Sequence, residues 1–439
     1  MCTSVTRLLS IMLLCRAHGA AAQEAPVVPP APPPAPVEQG PSMFAEPSFA
    51  IAGPEGFGVK SADGAFRFYL HWLLQTDYQA FLTDNPPGQI TDSTFLVRFA
   101  GVQMDAIVAQ RFHSQIFMDF SQSRLTLLDA WVEAQIARAL IFKVGKFLYP
   151  ISEERLTPGI ALPFVSTSLA TLLLPTRDTG LQLYGELIPG MLKYNLAVTN
   201  GATAGNLGDA DVDSDREVVG RVFARPLART SVRALQKFGV GVGASYGNRV
   251  GTIANPELPI LRTYGGQTFF AFKNDGTPAG TSLAKGGAWR VVPHMTWAYG
   301  PVAAYADWVH ASNDVAGASI GSDAYSVIPS VVLTGEDAEP LSYIVPKHPF
   351  DLSKGHVGSF LLVGGVGRFE VDSSAFTSGA ADPASAMRTA TVYGGGFNWY
   401  PVRGIAVLSS FGHMVFESFA EAPARPNEDT LIVRVQMVL

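Results

Sequence analysis

The sequence predicts an all-β protein: a transmembrane antiparallel β-barrel of sixteen strands, with eighteen also fitting the length. Three observations predict it. Of 439 residues, 47% are apolar and only 15% are charged, where ordinary globular domains carry about 25% charge. Long period-two runs recur between turn signals. The last residues, Thr430 to Leu439, read TLIVRVQMVL. Leu431, Val433, Val435, Met437 and Leu439 share one face of that segment, and Arg434 and Gln436 share the other. A final strand of this kind is expected to pair with the rest of the sheet, because closure removes the edges that lipid cannot satisfy.

The chain begins with a secretory pattern. Arg7 supplies positive charge, Leu8 to Leu14 an apolar core, and His18 to Ala22 a small-residue cleavage site. Residues 1–22 are therefore read as a signal peptide. The 2 cysteines are Cys2 and Cys15, so the mature protein would hold no disulfide. Leu14, before Cys15, is too large for a lipoprotein signal. The leader has two arginines and no acid, so its loss makes the formal charge of −6 more negative by two. That balance argues against nucleic acid as a partner. Residues 23–55, with the run EAPVVPPAPPPAPVEQGP, read as an extended periplasmic arm.

Residues 56–439 read as the barrel. The clearest run is Ala65 to Phe81, with Phe66, Phe68, Leu70, Trp72 and Leu74 opposite Arg67, Tyr69, His71 and Gln75. A barrel-crossing strand needs about 9–11 residues in the bilayer, longer than a usual sandwich strand. Shorter alternations recur around Phe112–Phe120, Asp129–Ile136, Phe238–Ala244, Arg290–Trp297 and Leu361–Glu370. Sixteen strands would take roughly 24 residues each with their connections, and eighteen roughly 21. The stretch Leu156 to Thr176 has no charge but contains Pro158, Pro163 and Pro175. Proline inside a helix costs about 3 kcal/mol, so this is expected to be a long connection packed on or inside the barrel. Trp72, Trp131, Trp297, Trp308 and Trp399 are candidates for the interfacial aromatic belts.

A diffusion pore works through the field along its lumen. An Arg or Lys facing lipid at the midplane costs about 2–4 kcal/mol, so charges on the strands should point inward. This gives candidate basic pore-lining residues Arg67, Arg98, Lys193, Arg221, Arg290, Arg368 and Arg434, and acidic ones Asp119, Asp129, Glu133 and Glu370. The same charges could instead pair across strands and set register.

Several segments resemble the phosphate-selective porins O and P of Gram-negative outer membranes. They are Asp63-Gly64-Ala65-Phe66-Arg67-Phe68 with Gln75, Asp129-Ala130-Trp131-Val132, and Val144-Gly145-Lys146-Phe147 followed by Pro150 and Glu154-Arg155-Leu156. Arg177-Asp178-Thr179-Gly180-Leu181, Asn200-Gly201, the acidic turn Asp211 to Asp215, and Gly220 to Pro226 follow. Leu333-Thr334-Gly335-Glu336 and Asn398-Trp399-Tyr400-Pro401 come next. The order of these segments over roughly residues 56–439 carries the resemblance. It implies a 16-stranded homotrimer in the Gram-negative outer membrane, inserted by the assembly machinery through its C-terminal strand. Such a pore passes small anions such as phosphate without a cofactor. Leu439 stands where that family usually ends in Phe. The alternatives are a general or cation-leaning porin and a plugged structural barrel.

Enzymatic readings find little footing. His113-Ser114 and Ser410 near His413 are the tempting pairs for nucleophilic chemistry, but the members of each fall on opposite faces of a strand. Asp209, Asp211, Asp213 and Asp215 have calcium-loop spacing, yet no carboxylate stands at the twelfth position, which is Gly220.

Overall fold

The computed structural model describes residues 48–53, 56–83, 93–208, 214–315, 317–422 and 425–439. The leader, most of the arm and the acidic residues Asp209 to Asp213 lie outside the described residues. The strands in chain order are β1 (Ser48–Gly53), β2 (Gly56–Ser61), β3 (Phe66–Phe81), β4 (Thr94–Val108), β5 (Phe112–Asp119), β6 (Thr126–Ala137) and β7 (Leu140–Leu148). Then come β8 (Arg177–Ile188), β9 (Leu192–Thr199), β10 (Glu217–Ala224), β11 (Gly239–Val250), β12 (Ile260–Arg262), β13 (Thr268–Ala271) and β14 (Ala284–Tyr299). The last are β15 (Val302–Val315), β16 (Ala318–Val332), β17 (Ser359–Val371), β18 (Thr389–Val402), β19 (Ile405–Glu417) and β20 (Glu428–Val438). No described helix is long and apolar enough to cross a membrane.

Among the described residues, β3 to β11 and β14 to β20 form a closed antiparallel cylinder of sixteen strands. The last strand meets the first: β20 runs against β3 with Val433 opposite Tyr78 and Arg434 opposite Asp77. Leu439 and Trp72 exchange two backbone hydrogen bonds of 3.0 and 3.1 Å. Below that point β3 continues, and Phe57 to Lys60 of β2 take up its edge, with β1 paired to β2 in turn. The sheet therefore holds eighteen strands while the cylinder closes with sixteen.

Turns 109–111, 138–139, 189–191, 300–301 and 403–404 share one end with Leu439, and connections 149–176, 251–283 and 372–388, with the described residues 82–83, 93, 200–208 and 214–216, stand at the other. In outer-membrane barrels the short-turn end faces the periplasm. The lower half of β3 shows how the alternation becomes a wall. Phe68, Leu70, Trp72 and Leu74 are 44%, 40%, 52% and 44% exposed on the outer face. Those are lipid-facing side chains, and the ladder bonds satisfy the backbone behind them. A closed barrel with such a belt is a Gram-negative outer-membrane protein.

The lumen is filled unevenly. The connection 149–176, which carries the short helix α1 (Glu153–Leu156), leaves the wall between β7 and β8 and crosses to the far side. There the Val165 N–H donates to Ser410, the Ala170 N–H to Ser326, Asn398 to the Pro163 carbonyl and Gln436 to the Ile160 carbonyl. Glycines make room for it: a Cβ on Gly243 would strike the Ile151 carbonyl, and one on Gly365 would meet the Phe164 ring at 2.9 Å. The connection is thus the inserted segment expected for Leu156 to Thr176. Around it grows a dry core. Leu169, Leu173 and Leu174 pack with Val292, Val309, Ile320 and Phe369 of the wall, and with Phe269 and Phe270 of the 251–283 connection. From the short-turn end, Leu341 joins Leu162, Phe164 and Val363. The β14–β20 side of the lumen is packed apolar interior, and the β3–β10 side is open.

Candidate functional site

The open side is a cleft of about 580 Å³. Its wall is made by the inward residues of β5 to β10, and its inner boundary is the inserted connection at Glu153 and Leu156. Polar groups cover the wall in a linked network. Asp105 lies 3.3 Å from His71 and 3.2 Å from His113, and accepts hydrogen bonds from Gln103 and Gln115. His113 reaches Glu133 at 3.5 Å, and Glu133 also meets Lys143 at 3.1 Å and the Tyr184 hydroxyl at 2.5 Å. The Lys143 ammonium sits 3.8 Å above the centre of the Trp131 ring. Arg138 and Lys193 flank Glu186 at 3.2 and 3.7 Å near the short-turn end. Strand parity produces this wall, because every second residue of six neighbouring strands points to one concave surface.

The predicted lining residues fall in different surroundings. Lys193, Glu133 and Asp129 project into the cleft side, with Asp129 held bidentately by Arg177 at 3.0 Å. Arg98 sits at the β3–β4 bulge, exposed, with Asp77, Arg434 and Asp119 as its charged neighbours and no ion pair among the described residues. Arg67 lies below the point of closure and donates to the Gly64 carbonyl. Asp119 accepts from the Ala100 and Ser121 N–H groups and from the Ser121 hydroxyl, so it caps a turn.

Arg221, Arg290 and Arg434 point inward but are buried and matched. Arg221 pairs with Glu153 of the inserted connection and donates to His294 at 3.3 Å. Arg290 and Arg249 converge on Glu217 at 2.5 and 3.1 Å, and the Tyr149 hydroxyl donates to the same carboxylate. Arg434 grips Asp77 with two bonds of 2.8 Å. These arginines hold the inserted connection and the closing seam.

Arg368 and Glu370 correct the expectation. They stand on the outer face of β17, where Arg368 reaches Glu417 at 3.3 Å and Glu370 meets Arg388 at 2.9 Å. Their alternation with Leu361 and Val363 is as the sequence reads, but the sides are exchanged. Leu361 and Val363 are 4% and 2% exposed and pack inward on the inserted and short-turn connections. Where the lumen is dry, its face of the strand is the apolar one. Trp131 is a second correction: it faces the cleft beneath Lys143, not lipid.

Arg138, Lys143, Tyr184 and Glu186 were not singled out by sequence reasoning. Only Glu186 and Tyr184 keep the parity of Gln182 along one strand, which is the signal that could have found them. Outside the barrel wall, Glu336 anchors the 333–358 connection. It accepts from Ser359 and Thr334 at 2.5 Å each and from the Lys347 N–H at 3.0 Å. Burial alone would raise its carboxyl, but those donors outweigh it and hold it down to about 2. His113 points inward and Ser114 outward, and Ser410 inward and His413 outward, so neither pair meets.

No protein-family model matches the sequence. No curated protein matches it either. By structure the chain is similar to solved outer-membrane proteins at low identity. The outer membrane channel DcaP of Acinetobacter baumannii superposes with a TM-score of 0.53 at 12% identity, covering 88% of this chain and 99% of that one. A loop-deletion mutant of OmpT, an outer membrane protein of Vibrio cholerae, gives 0.52 at 10% identity over 85% of this chain and 100% of that one. An anion-selective porin from Comamonas acidovorans gives 0.50 at 9% identity over 85% and 100%.

Proposed function

We propose that this protein is a porin, passing small hydrophilic solutes passively along the β3–β10 side of its lumen. One observation carries the reading: an outer-membrane barrel whose lumen is dry and packed on one side keeps a continuous polar wall on the other. Nothing in that wall is arranged as a nucleophile with its base, so the chemistry offered is a field and a set of hydrogen-bonding groups. A second reading, a plugged structural barrel, draws on the depth to which the connections 149–176 and 251–283 fill the lumen.

Within the porin reading, small anions are the favoured class. Arg138 and Lys193 are 69% and 49% exposed, whereas the carboxylates that share the cleft, Glu186 and Glu153, are 25% and 32% exposed. Arg98 adds an unmatched cation nearer the long-loop end. Mobile ions would therefore meet more uncovered positive than negative charge. The resemblance of the sequence to phosphate-selective porins, and the anion selectivity named for the Comamonas porin, support phosphate or a related oxyanion as solute. A homotrimer fits the same resemblance and the trimer form described for the Vibrio OmpT. The leader, the periplasmic arm and insertion through the C-terminal strand belong to this proposal too.

Planar-bilayer recording of the purified protein under a KCl gradient tests it. A reversal potential on the chloride side, with current blocked by added phosphate, supports an anion channel with an oxyanion site. Conductance without anion preference leaves a general porin, and no conductance favours the plugged barrel.

A further inference from the structure

Two connections at the short-turn end are much longer than their neighbours: 225–238, between β10 and β11, and 333–358, between β16 and β17. The first folds back against the outside of the barrel; the second first enters the barrel mouth, where Ala338 and Leu341 pack on inward wall residues, and then returns against the outer face at Phe350 and Val357. On β14 the buried row Ala288, Arg290, Val292, His294, Thr296 and Ala298 faces inward, so Trp297 faces out. Its indole N–H donates to the Ala234 carbonyl at 2.8 Å. On β18, Asn398 and Tyr400 face inward, and Trp399 faces out. Its indole donates to the Val357 carbonyl at 2.7 Å, and Phe350 packs edge-on against it at 5.5 Å. The same device thus fastens each connection to the lipid-facing wall. Lys237 and Glu339 tie the two together at 2.6 Å.

Both connections leave large apolar side chains uncovered. Val232 is 51% exposed, Val345 51% and Leu352 79%. Beside them stand exposed cations, Arg229, Arg233 and Lys347, with Arg403 in the adjoining turn. None of the four has an ion pair among the described residues. The acids of this rim are mostly taken: Glu339 by Lys237, Asp351 by Lys354 at 2.9 Å, and Glu336 by its three donors. Only Asp337 stands exposed without an ion pair among the described residues.

Apolar side chains at the edge of a lipid-facing wall, next to unmatched cations and interfacial tryptophans, are the chemistry of a segment lying in a membrane interface. We propose that the two connections form a lipid-binding skirt. Leu352, Val345 and Val232 enter the acyl layer of the periplasmic leaflet, and Arg229, Arg233, Lys347 and Arg403 bind the phosphates of anionic phospholipid. Polybasic segments at a membrane surface gain attraction with each Lys or Arg. This inference rests on the outer-membrane barrel, not on the channel reading, so a failure of either can be told from the other.

Both cysteines, Cys2 and Cys15, lie in the segment proposed as the leader, and the chain beyond it has none, which permits single labels. Val232→Cys and Leu352→Cys proteins carrying a fluorophore are placed in bilayers of phosphatidylethanolamine and phosphatidylglycerol, with Ala279→Cys at the long-loop end as the aqueous control. The skirt predicts quenching of the first two by brominated acyl chains and protection from iodide, with the reverse for the control. Native mass spectrometry of the Arg229→Ala/Arg233→Ala protein should show roughly tenfold weaker retention of phosphatidylglycerol relative to phosphatidylethanolamine, with conductance unchanged. Iodide quenching of both skirt labels overturns the proposal. So does energy transfer between Leu352 labels on different copies at contact range, which assigns the surface to a second copy, and so does equal retention of the two lipids by the double variant.

Discussion

Arg434 was legible in the sequence as a charge on the last strand, and its geometry allows two roles to be separated by one substitution. Its guanidinium makes two 2.8 Å bonds to Asp77 across the seam where β20 meets β3. The two side chains are 7% and 5% exposed, so neither is served by solvent. Asp77→Asn keeps the shape and removes the charge. Breaking a buried pair by removing one partner costs roughly 3–5 kcal/mol, because the remaining charge is left uncompensated. Arg98 lies close enough to feel both groups, and loss of the carboxylate leaves two cations facing each other. The expected result is a large fall in urea or thermal stability of the folded barrel in micelles, read from loss of the compact electrophoretic band. The companion Asp77→Leu/Arg434→Met protein removes both charges and should recover most of that loss, as apolar replacements of buried pairs are often neutral or stabilising. If Asp77→Asn unfolds within about 0.5 kcal/mol of the parent, the size expected for an ordinary surface change, the seam argument fails. A rise in anion selectivity at unchanged stability would make Arg434 a pore charge instead.

Lys193→Glu should move ion selectivity toward cations. A two-unit change at roughly 8 Å from a passing ion is worth about 1 kcal/mol in water before screening, so a several-fold change in the permeability ratio is expected, shrinking at high salt. Arg290→Glu should instead prevent folding, since it would set a second carboxylate against buried Glu217; a folded, cation-selective Arg290→Glu protein would refute the distinction between cleft and core. Gly243→Val should displace the Ile151 backbone and loosen the inserted connection, seen as increased and noisier conductance, and an unchanged trace would mean the connection does not bound the pore. Glu336, held near 2, stabilises the 333–358 connection fully above the ordinary carboxylate range, and that contribution is lost as pH falls toward 2. Hydrogen exchange of this connection should therefore rise on acidification, and Glu336→Gln should show the faster exchange already at neutral pH.

The sequence carried the wall well. The run Ala65 to Phe81 became β3, Phe66–Phe81, and the closing strand paired as its alternation required. Strand parity is a local property, set by a period of two and a lipid-facing side that must be apolar. What faces the lumen is not local. The assignment of polar to inside holds on β5 to β9, where the cleft is open, and reverses on β17, where Leu361 and Val363 meet Val165 and Phe164. No periodicity within β17 distinguishes lipid from a folded-in connection as the apolar neighbour. Trp131 fails for the same reason in the other direction, since an aromatic suits both a membrane belt and a polar cleft that holds a lysine over its ring.

The uneven lumen also explains why the inward arginines come matched with carboxylates. A basic residue on the open side can do without a direct ion pair, as Arg98 does with Asp77 and Asp119 only as charged neighbours. Once the connection 149–176 crosses the lumen, wall positions beneath it lose solvent, and a charge there needs a partner with good geometry or it destabilises the fold by several kcal/mol. Glu153 answers Arg221, Glu217 answers Arg249 and Arg290, and Glu154 is held by Ser168 and Thr171. The carboxylates come from the inserted connection and from wall strand β10, and the arginines from β10, β11 and β14. Charge on the covered side therefore fixes where the connection lies, and only charge on the uncovered side is left to act on a solute. A count of arginines and lysines over the whole barrel would overstate the field in the pore. The exposed members of the β3–β10 wall, Arg98, Arg138 and Lys193, set against Glu153 and Glu186, are the groups whose substitution should change what passes.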